Sequence, residues 1–286
     1  MELTSLQNPR IKHLLQLQQK SQLRRSEGLF VVEGRRELEH CLSAGYELDS
    51  LFVCPEIVPI ETIVPIVPIV PIVPIVPIDT IDTIDTIATI APFTIPLKVY
   101  ERVAYRGSTE GIIAVVKARP QTLDDLGPML QQKATPPLVI VLESVEKPGN
   151  MGAVLRSADA ARADAVIVCD PLTDIYNPNL IRASIGAVFT VPTVATTSEE
   201  CISFLKGMGI SILTAQLQDS ALYYDTDMRR PTAIVMGTES TGLTQQWRQA
   251  ADAHIRIPML GRLDSLNVSV SAAILLFEAV RQRMQQ

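Results

Sequence analysis

LVIVLESVEKPGNMGAVLRSADAARADAVIVCD, residues 138–170, reads as a strand, a glycine-bearing turn, a helix and a second strand. Two unbroken apolar runs, LVIVLE (138–143) and AVIVCD (165–170), flank a helical stretch at about 151–162. An apolar run without polar alternation indicates a strand covered on both faces, and helices between such runs indicate parallel neighbours. The alternation continues outward. Further strands are predicted at TVPTVA (190–195), ISILTA (210–215), TAIVMG (232–237) and HIRIPM (254–259), with helices at about 178–187, 198–207, 243–251 and 267–284. The fold class is therefore α/β, built on a parallel sheet that binds ligands at the carboxyl ends of its strands.

Toward the amino terminus the composition changes at RPQTLDDLGPMLQQKATPP (119–137), which is polar and proline-rich. This places a linker at 119–136 between a smaller α/β domain, 1–118, and a larger one, 137–286. In the smaller domain a helix is predicted over 8–26, entered through Asn8-Pro9. GLFVVEG (28–34) and LDSLFVC (48–54) read as strands around a helix RRELEHCLSAG (35–45) closed by Gly45; LKVYERV (97–103) and GIIAVVKA (111–118) supply further strands. A low-complexity insertion at 57–95 interrupts this domain, with isoleucine at every third position from Ile63 to Ile90. A period of three with repeated proline matches polyproline II better than helix or strand. It reads as a tandem expansion in a tolerant surface loop, in preference to a ligand arm or a β-solenoid face. Residues 1–25 carry five bases and one acid, which suits an arm touching phosphate and a solvated helix face equally.

With 286 residues, 47% hydrophobic and 20% charged, the chain has material for a full core, so wholesale disorder is excluded. The net charge of −6 arises entirely within residues 41–100, which hold seven acids and one base. Bulk charge thus argues neither for nor against nucleic acid. Cys41, Cys54, Cys169 and Cys201 are too widely spaced for a C-x-x-C pair, and His13, His40 and His254 are scattered, so no metal site is expected. The first twenty residues hold no apolar signal segment, and a reducing, cytoplasmic setting is expected. The run Ile63–Ile78 has proline at 65, 68, 71, 74 and 77. It is also shorter than the ~20 residues of a spanning helix, so no membrane segment is expected.

Three strand-to-helix junctions carry polar residues. In EKPGNMGAVLRS, Gly149 and Gly152 flank Asn150, and Arg156 lies within the helix; glycine permits close backbone approach, and a helix amino terminus suits a polar ligand. In IVMGTESTGL a strand ends at Gly237 with Glu239 and Gly242 in the turn. In IRIPMLGRLDSLNVSVSAAILLFEAV, Ser265 and Asn267 open a long apolar helix, and each taken alone reads first as an N-cap. No G-x-G-x-x-G, P-loop, nucleophile elbow or Ser-His-Asp arrangement is present. Spacing and composition reach an α/β domain with three polar, glycine-bearing loops at one sheet edge.

Together the junctions resemble, in order and spacing, the three motifs of the SpoU/TrmH family of RNA ribose 2′-O-methyltransferases within the SPOUT superfamily. The first is similar to N-x-G-x-x-x-R (Asn150, Gly152, Arg156), the second to G-x-E-x-x-G-L (Gly237, Glu239, Gly242, Leu243), and the third to IPM-x-G-x-x-x-SLNVSV (Ile257 to Val270). The match covers about 137–284, while residues 1–118 resemble, more loosely, the substrate-binding domain related to ribosomal protein L30e. The resemblance implies a trefoil-knotted catalytic domain, a homodimer, and methyl transfer from S-adenosyl-L-methionine to a ribose of ribosomal or transfer RNA. It implies catalytic roles for Arg156, with Asn150, Glu239, Ser265 and Asn267 orienting it and the ribose, and cofactor contacts at Gly237, Ile257 and Leu266. Because a guanidinium gives up its proton only in strong alkali, Arg156 suits electrostatic stabilisation or phosphate clamping better than literal base catalysis. A catalytically silent, knotted ribosome-assembly factor is the alternative; the presence of Arg156 and Asn267 favours the enzyme, and SLNVSV favours ribose over a base nitrogen.

Overall fold

The computed structural model describes residues 1–59, 92–105, 110–238, 240–262 and 265–285. The chain divides into two compact units, Met1–Arg119 and Pro120–Gln286.

In the first unit α1 (Pro9–Gln19) starts where Asn8 Oδ1 accepts from the Arg10 amide at 2.9 Å. It ends at Lys20, whose backbone is extended (φ −108°, ψ 105°), and α2 (Ser21–Glu27) begins there. The single helix expected over 8–26 is thus two. Buried Arg24 closes the break by donating from Nη1 to the carbonyls of Leu17 (2.6 Å) and Gln18 (3.2 Å), groups a helix end leaves orphaned. There follow β1 (Leu29–Glu33), α3 (Arg35–Ser43), β2 (Leu48–Val53), β3 (Phe93–Thr94), α4 (Leu97–Val103) and β4 (Ile112–Lys117). The sheet order is β1-β4-β2-β3, with β4 antiparallel to β1 and β2, and β3 parallel to β2.

LKVYERV, expected as a strand, is α4. Its buried residues Val99, Tyr100 and Val103 recur at helical spacing, while Lys98, Glu101 and Arg102 face outward. The isoleucine repeat lies outside the described residues, but its downstream flank belongs to the sheet: Thr94 accepts from the Leu3 amide at 2.8 Å, Phe93 packs on Phe52 and Ile95 is fully buried.

The second unit contains α5 (Leu123–Gln131), β5 (Leu138–Glu143), α6 (Pro148–Ala160), β6 (Ala165–Cys169), α7 (Pro178–Ser184), α8 (Ala187–Thr190) and β7 (Thr193–Thr196). It continues with α9 (Ser198–Gly207), β8 (Ser211–Ala215), β9 (Ala221–Leu222), β10 (Thr232–Met236), α10 (Gln245–Ala250), β11 (Ala253–Arg256) and α11 (Val268–Met284). Seven strands pair in the order β7-β6-β5-β10-β8-β11-β9, every pair parallel, as the unbroken apolar runs predict. One core cluster joins the sheet to Leu126 and Leu130 of α5, Cys201 and Leu205 of α9, and Trp247 of α10. Helix α11 packs against α6, β5 and β10 through buried Ala272, Leu275 and Leu276.

Two local expectations change. Residues 119–136, read as linker, hold α5, which opens on a reciprocal capping box between Thr122 and Asp125 worth ~1 kcal/mol and buries Leu126 and Leu130. The helix expected over 178–187 is interrupted by left-handed backbone at Ile185 (φ 54°) and Gly186 (φ 81°); a short α8 then takes up Thr190, so the next strand starts at Thr193.

Candidate active site

The parallel sheet sends the carboxyl ends of all its strands to one edge, and the three motif loops leave from β5, β10 and β11 there. After β5 the chain enters α6 at Pro148, whose fixed φ and missing donor suit the first helical position. A Cβ on Gly152 would stand 2.8 Å from backbone atoms of Ala183 and Ser184, so glycine here lets α6 and α7 approach backbone to backbone.

The turn after β10 folds back on itself. The Gly242 amide donates to the Thr238 carbonyl at 3.1 Å, Gly242 is left-handed (φ 68°), and the Thr241 amide donates to Thr238 Oγ1 at 3.1 Å. A Cβ on Gly237 would overlap the backbone of Gly242 and Leu243, so only glycine closes this turn. A further anchor was not apparent in the sequence. Glu143, 2% exposed at the end of β5, accepts from the Thr244 amide (2.9 Å) and the Thr244 hydroxyl (2.6 Å), tying the second motif to the strand that carries the first. A buried carboxylate so placed is held by charge-assisted hydrogen bonds worth about 1.5–3 kcal/mol each. Glu239 lies outside the described residues.

Asn267 is the N-cap of α11, its Oδ1 accepting from the Ser269 amide at 3.0 Å and the Ser269 hydroxyl at 2.6 Å. Its Nδ2 donates to Asn150 Oδ1 at 3.2 Å, so the first and third motifs meet through one amide pair. Ser265 is not the cap. It lines a cavity of about 340 Å³ together with Leu266 and Val268 from the third motif and Gly237, Gly242 and Leu243 from the second. That size lies within the range of small-molecule sites. Ile257 does not line it, nor does Arg156. Arg156 is exposed on α6, six residues past Asn150 and therefore about 120° away around the helix. It makes no ion pair among the described residues, and Asp159 instead accepts from the Thr190 hydroxyl at 3.1 Å.

A fourth loop, after β8, completes the cavity with Gln216 and Leu217, and Arg248 of α10 reaches it. Gln216 Oε1 and Arg248 Nε are buried there without a hydrogen-bond partner. The sequence marks neither residue: nothing in it says that β8 pairs beside β10, and Arg248 lies past the end of the second motif, on α10. The described cysteines offer no nucleophile: all four are buried, and the Cys169 thiol is pushed up by its hydrogen bond to Cys201 and by burial. Among the described residues, no group of three His, Cys, Asp or Glu could hold a metal ion, and no helix is long and apolar enough to cross a membrane.

Comparison with known proteins finds relatives of both units. The model of the SpoU rRNA Methylase family matches residues 137–277. The 23S rRNA (guanosine-2′-O-)-methyltransferase RlmB of Vibrio parahaemolyticus serotype O3:K6 is 38% identical over 189 residues, 65% of this chain and 76% of that protein. The chain belongs to the SpoU rRNA methylase family. Its SpoU unit is preceded by a match to the MRM3-like substrate binding domain over residues 8–114. A solved RNA 2′-O ribose methyltransferase is 37% identical, with a TM-score of 0.77 over 99% of this chain and 100% of that one. An AdoMet-bound rRNA methyltransferase from Sinorhizobium meliloti is 27% identical, with a TM-score of 0.82 over 98% of this chain and 97% of that one.

Proposed function

We propose that this SpoU family member transfers the methyl group of S-adenosyl-L-methionine to the 2′-hydroxyl of one ribose in structured RNA, ribosomal RNA ahead of transfer RNA. The observation that carries the reading is the Asn267–Asn150 hydrogen bond beside a cavity shared by the second and third motifs, which brings the three separated stretches to one edge. The names of the RlmB relative and of the AdoMet-bound Sinorhizobium enzyme support ribosomal RNA as substrate and the sulfonium cofactor as donor. The cavity suits that donor: Gly237 and Gly242 present backbone to it, and unpartnered polar atoms of both kinds line it.

When bound, the cofactor supplies an electrophilic methyl group on a good leaving group. What the chain must supply is placement and charge. Gly237 and Leu266, which line the cavity, would offer backbone contacts to the cofactor's adenine and ribose, and Ile257, which does not line it, would do so only from the adjoining strand end. Asn150, Asn267 and Ser265, with Glu239, would orient the acceptor ribose, and fixing its hydroxyl in the attacking position would provide much of the acceleration. Arg156 would stabilise the negative charge that builds on the ribose oxygen as its proton passes to water, or clamp the adjacent phosphate. Its exposure and lack of an ion pair among the described residues fit a side chain that finds its counter-charge in the RNA.

The enzyme works in the cytoplasm as a homodimer, and its carboxyl-terminal chain threads the trefoil knot of the SPOUT superfamily. Val270 (47% exposed), Phe277 (48%) and Met284 (81%) recur every seven residues along the outer side of α11, an apolar stripe that a second copy would cover. Phe277→Asp should turn the dimer into a monomer in sedimentation; an unchanged mass would remove this interface.

The direct test incubates purified protein and labelled cofactor with total RNA from a strain lacking the gene, then maps alkali-resistant linkages. A single protected linkage in ribosomal RNA is expected. Label on a base, or none at all, would overturn the reading.

A further inference from the structure

Folded proteins rarely leave a buried polar atom without a partner, because its lost hydration costs about 1–3 kcal/mol. In the second unit the described side chains leave two such atoms, Gln216 Oε1 and Arg248 Nε, and both belong to residues lining the motif cavity. They come from different elements, the loop after β8 and helix α10, and neither is part of the three sequence motifs. One is an acceptor and the other a donor on a cation. Gln216 cannot turn its amide to repair the defect without loss, since its Nε2 already donates to the Gln218 carbonyl at 2.9 Å. Arg248 Nη2 lies near Gly242, 3.9 Å from where a Cβ on that residue would stand, so its guanidinium sits against the turn that closes the cavity.

Two orphans of opposite sense lining one cavity suit a ligand that bears both a donor and an anion. Resting on the methyl-transfer reading above, we propose that Gln216 and Arg248 form the subsite for the α-amino-acid end of the cofactor. Gln216 Oε1 accepts from its ammonium group, and the Arg248 guanidinium donates to its carboxylate. Adenine and ribose are neutral and suit the backbone-rich side of the cavity; the amino-acid end is the one part of the donor that presents an ammonium and a carboxylate on the same carbon. A phosphate of the RNA is the other anion at hand, but it brings no donor for Gln216 Oε1.

The test compares two ligands by calorimetry: S-adenosylhomocysteine, and 5′-deoxy-5′-methylthioadenosine, which keeps the nucleoside and thioether but lacks the amino-acid end. Arg248→Met and Gln216→Leu should each weaken S-adenosylhomocysteine about tenfold or more, the range of a lost charge-assisted hydrogen bond, and leave methylthioadenosine within about twofold. Arg248→Lys and Gln216→Glu, which keep a cation and an acceptor, should recover most of the loss. Equal weakening of both ligands would show that the residues merely hold the cavity's shape and would overturn the subsite. So would unchanged binding of both with a shallower salt dependence of RNA affinity, which would assign Arg248 to a phosphate. Failure of the unaltered protein to bind S-adenosylhomocysteine at all is a different result, and it would remove the donor reading itself.

Discussion

The two sheets of this chain obey different rules, and only one of them gathers chemistry. In the smaller unit β4 alone runs against β1 and β2, so the sheet is mixed and the chain leaves β4 at the end opposite to where it leaves β1, β2 and β3. In the larger unit seven strands run one way, and every loop after a strand emerges at the same edge. Stretches more than a hundred residues apart, such as Asn150 and Asn267, can therefore touch there. Under the proposed function the first sheet presents a surface to the RNA, and the second concentrates polar atoms at the edge where the reaction takes place.

If that division holds, damage to the larger unit's edge should abolish turnover, and damage to the smaller unit should only weaken substrate capture. Arg156→Ala should lower methyl transfer by ~10²–10³-fold or more while cofactor affinity stays within a few fold. Turnover that survived the change would show that the guanidinium is not at the reaction. Gly237→Ala should come next, because its methyl group would enter the Gly242 backbone. Overpacking of ~1–3 kcal/mol should cut cofactor affinity about tenfold and lower the melting temperature of the larger unit, whereas normal binding would mean the turn can open.

In the smaller unit, Lys12→Ala, Lys20→Ala and Arg25→Ala together remove three exposed cations. RNA affinity should fall several-fold with a shallower salt dependence and an unchanged kcat. A drop in kcat alone would erase the proposed division of labour. The smallest effect is expected from excising residues 60–91 and joining Pro59 to Pro92. Activity should stay within about twofold, and loss of folding would make the repeat structural.

The larger unit was the easier to read, for a physical reason. A strand buried on both faces writes its identity as an unbroken apolar run, so LVIVLE, AVIVC and TAIVM stand out without any partner being known. LKVYERV failed because it alternates over a short span while also placing Val99, Tyr100 and Val103 at helical spacing; only the core it faces decides between the periods. Pairing order left no trace in the sequence. Glu143 and the loop after β8 reach the cavity and its turn through the strands beside β10, and Thr244 and Arg248 through the fold of the chain just past the second motif, so three motifs are visible in the sequence and their supports are not. The motif glycines could be noticed but not explained: what Gly152 and Gly237 avoid are backbone atoms far along the chain or across a turn.

The amide of Asn267 performs two tasks at once, closing the last helix with its oxygen and reaching α6 with its nitrogen. Aspartate would serve the first task equally well and fail the second, since a carboxylate has no proton to offer Asn150. An Asn267→Asp chain should therefore melt like the parent yet react slowly, which separates durability from competence at a single atom. In the parent, refolding and recovery of activity should share one clock, because completing the final helix also sets the register of the site.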